Sequence, residues 1–108
     1  MPNYIISYLG GEAPKNEEEG KAHFAKYMAW LNNLGDAAIS PANPFKNTHA
    51  VDSDGSVKEG SMTRMNGFSV IAADTMDEAL AIAKACPFLE VNGRLEVSEL
   101  VQMGKEAE

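Results

Sequence analysis

The chain has few of the residues from which familiar reactive centres are built. It holds one cysteine and two histidines in 108 residues. A lone Cys86 cannot close a disulfide within the chain, and its unpaired thiol points to a reducing compartment. Two histidines and one cysteine without ligand spacing give no metal site. A phosphate-cradling glycine loop and a serine elbow are also missing, so no cofactor is expected. Basic residues are scarce: 9 Lys and Arg stand against 16 Asp and Glu, a formal charge of -7. Neutralising phosphates needs the opposite balance, which excludes a general nucleic-acid binder and docking on an anionic membrane surface. No apolar run approaches the ~20 residues that span a bilayer. The start, "MPNYIISYLGG", has neither the basic region nor the small-residue cleavage site of a secretory leader. The cytoplasm is the expected location.

What is present is the material of one packed domain over residues 1–108. The hydrophobic share of 44% is ordinary for a globular chain and excludes disorder as the class. The excess acid sits largely in "NEEEG" and in the closing "KEAE", where it serves solubility.

"NYIISYL" (3–9) reads as a strand closed by Gly10-Gly11. Tyr4, Ile6 and Tyr8 point to one face, Ile5 and Leu9 to the other. Asn16 is an N-cap with Glu19 three residues on, and Glu17, Glu18 and Glu19 suit the dipole of the helix that follows. That helix runs to Leu34, with Gly35 as its stop. Helical spacing puts Phe24, Met28, Leu31 and Leu34 on a core stripe. A short strand is expected at "DAAIS" (36–40), broken by the prolines of "PANPF". "THAV" and "SVKE" flank Asp54-Gly55 as a hairpin, and "GFSVIAA" (67–73) is another strand. Thr75 and Glu78 form the T-x-x-E box of a second helix, in which Ala79, Ile82, Ala83 and Cys86 recur at helical spacing before Pro87 ends it. "RLEVSELVQM" (94–103) is the last strand, with a slip in alternation between Val97 and Leu100 that suggests a bulge or bend.

This order gives an α+β, ferredoxin-like domain: an antiparallel sheet, two helices on one face and an inserted hairpin. The other sheet face is apolar too, and a second copy of the same face is the economical cover. A homodimer through sheet-face packing is expected.

The line His23, Tyr27, Trp30 is offset by about 100° from the core stripe. Phe24, Met28 and Leu31 are expected deep in the core, and the His23 line at the helix edge beside a cleft. His23 there is a candidate general base or hydrogen-bonding group, or a half-exposed flank residue. Tyr27 and Trp30 are candidates for the apolar wall of a substrate site or for packing. His23 is expected to line a pocket with Trp30 and residues from the 48–66 segment. Arg64 is a candidate anchor for an anionic group, and His49 and Asn66 are further polar candidates. Cys86 has the apolar register of a core thiol, against which stands a nucleophilic role. "DSDG" is a turn and not a calcium loop: its glycine comes too early, and no bidentate glutamate follows.

Over nearly its whole length the chain resembles the YCII-related family, particularly its DGPF-motif branch. "NYIISYLGG" matches the opening strand, "DGSVKE" (54–59) looks like a degraded D-G-P-F-x-E signature, and "GFSVIAADTMDEALAIAKACPFLEVNGRLEV" (67–97) is similar to the closing strand-helix-strand unit. The resemblance implies a dimeric α/β barrel, a superfamily that includes cofactor-free monooxygenases, dehalogenating lyases and isomerases. It also implies that Asp54 and Glu59 are candidate site residues pointing into a cleft, beside the plainer reading of charges on a hairpin. The motif's Pro and Phe are Ser56 and Val57 here. His23 fits a histidine found early in the first helix of the YCII branch, whereas Cys86 stands where that branch has the aspartate of D-P-Y. Two functions follow: a cofactor-independent enzyme or small-molecule-binding protein with a cleft lined by His23, or a non-enzymatic dimeric accessory protein associated with a sigma factor.

Overall fold

The computed structural model describes residues 1–101. A four-stranded antiparallel sheet is assembled from β1 (Asn3–Gly10), β2 (Ala38–Pro44), β5 (Met65–Ala72) and β6 (Gly93–Glu99), in the order β2-β5-β1-β6. Helices α1 (Glu17–Leu34) and α2 (Met76–Lys84) join strands across it, and β3 (His49–Val51) and β4 (Val57–Glu59) form a separate hairpin. β1 is one of the two inner strands, with Tyr4, Ile6 and Tyr8 buried beneath the helices. Its register places Ile71 opposite Tyr4 and Val97 opposite Ile6, so one face carries a continuous apolar row. Trp30 and Leu31 of α1 and Ala79 and Ala83 of α2 close over that row in one core. The small alanines let α2 lie close to the sheet, which a larger residue at either position would prevent. This is the ferredoxin-like α+β arrangement. Among the described residues no helix is long and apolar enough to cross a membrane.

Both helix starts form as their sequences dictate. Asn16 Oδ1 accepts the Glu19 backbone N–H at 2.8 Å, and Thr75 Oγ1 accepts that of Glu78 at 3.2 Å. The Glu78 carboxylate accepts the N–H of Asp74, so the box closes one residue before the cap. Gly35 ends α1 at φ 54, a conformation that glycine adopts without steric cost.

Three expectations need correction. The second strand does not stop before the prolines: β2 runs through "AISPANP" to Pro44. It is an edge strand, where a missing N–H is tolerated, and its pairing to β5 slips twice, between Ala38 and Ser40 and between Ser40 and Asn43. The last strand ends at Glu99 with unbroken register to β1, so the slip toward Leu100 marks the end of pairing and no bulge. Residues 102–103 of that expected strand lie outside the described residues. The irregularity falls instead in β1, between Tyr8 and Leu9 where it pairs with β5.

The third correction concerns the phase of α1. Phe24 and Met28 are 53% and 40% exposed, whereas Trp30 and Leu31 are only 7% and 6% exposed. The packed stripe is Tyr27, Trp30, Leu31 and Leu34. Long-range polar contacts choose it: the Trp30 indole N–H donates to the Ile82 carbonyl at 3.0 Å, and the Tyr27 hydroxyl donates to that of Tyr8 at 2.9 Å. Amphipathic rings with their polar ends satisfied inside outcompete a phenylalanine and a methionine for the sheet.

Candidate functional site

The turned helix leaves a concavity of about 490 Å³ between its first half and the ends of β2 and β5. His23, Phe24, Tyr27 and Met28 form the α1 side, while Ala42, Asn43 and Pro44 of β2 and Asn66, Gly67 and Phe68 of β5 form the far side. Tyr8 of β1 and Phe88, in the short turn Pro87–Val91 after α2, complete the wall. Two glycines set its shape. A Cβ at Gly67 would stand 2.6 Å from the Asn43 carbonyl oxygen, so glycine is what allows the proline strand to approach here. A Cβ at Gly93 would stand 2.3 Å from the Phe88 ring, so glycine also makes the space in which that ring sits edge-on to Tyr8, with centroids 5.4 Å apart.

His23 is half-buried on the cavity wall and makes no hydrogen bond or ion pair with the described residues. A chain of hydroxyls runs inward from the wall. Tyr27 donates to Tyr8, Tyr8 is 2.5 Å from Ser69 Oγ, and Ser69 donates to the Pro41 carbonyl. Burial is the largest cause that pushes the Tyr8 phenol far above the ordinary tyrosine range, because the charged form has lost its water. Tyr8 is therefore a neutral hydrogen-bonding group.

The structure separates the other candidates from this cavity. Trp30 is a core residue between the helices and does not line it, although its ring lies 5.7 Å from that of Tyr27. Of residues 48–66, only Asn66 reaches the wall. Asp54 and Glu59 are exposed on the hairpin. The Asp54 carboxylate accepts the Ser56 N–H at 2.9 Å, which holds its pKa below the usual value and assigns it to turn formation. Arg64 is exposed and lies over Gly10 at the end of β1. His49 is exposed and contacts the Asn47 carbonyl through Nδ1. Cys86 is 2% exposed, and burial pushes its thiol up to about 11. It is a core thiol, without the electropositive partner that a nucleophile needs. Among the described residues no three His, Cys, Asp or Glu side chains come together as a metal-ligand set.

Sequence reasoning missed Tyr8, Ser69 and Phe88. A signal for Ser69 was present: it is the one polar residue on the otherwise buried face of "GFSVIAA". A hydroxyl in such a place needs a partner.

No curated protein sequence matches the chain. Among solved structures it is similar to the 5-chloro-2-hydroxyhydroquinone dehydrochlorinase of Burkholderia phenoliruptrix, determined in complex with 2,5-dihydroxybenzoquinone. That likeness has a TM-score of 0.58 at 15% identity and covers 92% of this chain and 93% of the other, which places the two in the same fold. The model of the YCII-related domain matches residues 5–103. With nearly the whole chain inside that match, the protein belongs to the YCII-related family.

Proposed function

We propose that the cavity binds a small, flat, ring-bearing molecule and that His23 exchanges a proton with it, without a cofactor. The observation that carries this reading is an unpartnered imidazole opening onto about 490 Å³ of otherwise mostly apolar concavity. That volume suits a small organic ligand. Phe24 and Met28, exposed yet on the cavity wall, are apolar surfaces that a ligand ring would cover. The edge of Phe88 and the Tyr27 ring supply further flat contacts. An imidazole can serve as base in one step and acid in the next. The dehydrochlorinase of the same fold acts on a hydroxylated ring and was solved with one bound, which supports the same ligand class here.

The site would work within a homodimer. Ile5 and Val70 lie on the sheet face away from the helices and are only half-buried in the single chain. A second copy of this face is the cover that fits. The buried, lone thiol suits a reducing compartment such as the cytoplasm.

A thermal-shift screen of hydroxylated aromatics, 2,5-dihydroxybenzoquinone included, tests the reading on wild type and His23→Ala. At least one compound should raise the melting temperature of wild type, and His23→Ala should weaken that response without loss of fold. Equal stabilisation of both proteins removes His23 from the site.

A further inference from the structure

The kind of hydrogen bond that Tyr27 offers this cavity is decided at a carbonyl outside it. Ser69 is fully buried, and its hydroxyl donates to the Pro41 carbonyl, which has no proton to return. Ser69 Oγ therefore meets Tyr8 as an acceptor, and Tyr8 must donate across their 2.5 Å contact. Tyr27, 2.9 Å from Tyr8, then donates to Tyr8. A phenol has a single proton. That of Tyr27 is directed inward, and only lone pairs remain on its oxygen for a ligand. Of the wall's amides, Asn43 Nδ2 has both protons bonded, to the Ser40 and Phe68 carbonyls, and Asn66 Nδ2 gives one of its two to that of Gly10; neither is bonded to the Tyr27 oxygen.

We propose that the cavity selects ligands that bring a hydrogen-bond donor, a phenolic or enolic O–H, to the Tyr27 oxygen, and disfavours rings that offer only acceptors there. An acceptor placed at that oxygen must take the Tyr27 proton away from Tyr8, which breaks the outer link of the chain, or remain unbonded. A phenol accordingly binds at this position in its neutral form. Tyr27 is the residue that reads the ligand, and Ser69, which touches no ligand, is a positioning residue that fixes the direction. The inference rests on the cavity being a ligand site, as proposed above.

The test is a pair of rings differing in donor capacity, hydroquinone and 1,4-dimethoxybenzene, titrated calorimetrically into wild type, Tyr27→Phe and Ser69→Ala. Wild type should prefer hydroquinone by about five- to tenfold, the worth of one neutral hydrogen bond. Tyr27→Phe keeps the ring and should bring the preference near to unity. Ser69→Ala leaves Tyr27 in place but frees the chain to reverse, and should also narrow the ratio; a merely structural serine would lower both affinities and leave the ratio alone. A wild-type preference for the dimethoxy ring, or a ratio unmoved by either substitution, overturns donor selection while leaving the ligand site standing. Failure of both rings to bind wild type overturns the inference together with the reading beneath it.

Discussion

Replacing Tyr8 by phenylalanine removes the middle hydroxyl of the buried chain and nothing else. The ring stays edge-on to Phe88 and close to Tyr27. Two hydrogen bonds disappear, the one accepted from Tyr27 and the one donated to Ser69. A neutral intramolecular bond is worth about 1 kcal/mol net, so Tyr8→Phe should destabilise by about 2 kcal/mol. Tyr27→Phe removes the first bond, with a long 3.5 Å contact to Ser69 Oγ, and should cost about 1 kcal/mol. Apart from that long contact, the double variant loses no bond that Tyr8→Phe had not already lost. Its cost should therefore remain about 2 kcal/mol, about 1 kcal/mol less than the two single costs added together. For a domain of this size each kcal/mol moves the melting temperature by about 4 °C, so the two single variants should melt about 8 and 4 °C below wild type. Urea unfolding of the four proteins at equal slope measures the cycle. Strict additivity, or a Tyr8→Phe cost within error of zero, would refute the hydroxyl chain.

Further outcomes are expected elsewhere. Gly93→Ala should destabilise by at least 2 kcal/mol and weaken any cavity ligand, because the new methyl displaces Phe88; a melting curve like that of wild type counts against this packing. Cys86 should react with a thiol reagent only on unfolding, and rapid labelling of the native protein is the opposing result. The folded thiol titrates near 11 against an ordinary value of 9.0, and Tyr8 is raised likewise. A raised acid binds its proton more tightly in the folded state, so stability is fully present below pH 9 and falls as pH rises toward 11. Cys86→Ala should flatten the first part of that fall, and an unchanged slope would show that the thiol is not its source. Sedimentation at micromolar concentration should show a homodimer that Val70→Asp converts to monomer, whereas monomeric wild type would rule out pairing through the open face.

What was legible in the sequence was what neighbours in the chain decide. The caps at Asn16 and Thr75, the stop at Gly35 and the turn at Asp54-Gly55 depend on a few adjacent residues, and each forms in its place. Tyr4, Ile6 and Tyr8 could be assigned to one face because the strand period allows only two. The phase of α1 was a different problem. Two apolar stripes lie side by side on that helix, and spacing does not rank them. The ranking came from Ile82 and Tyr8, each distant in sequence from the residue it holds. "PANP" was misread because proline speaks against a central strand but not against an edge. The cavity was half legible: the helix supplied His23 and Tyr27, while Tyr8, Gly67 and Phe88 reach it only through the sheet register and the turn after α2.

That proline-bearing edge also bears on how copies of the chain can meet. Open sheet edges invite a further strand, and sideways growth of this kind leads to uncontrolled assembly. In β2, neither Pro41 nor Pro44 has an N–H to offer an incoming strand, and the Pro41 carbonyl is already held by Ser69. β2 thus lacks a backbone donor at two of its seven positions. Strand addition at this border is penalised, while stacking through the open face is untouched.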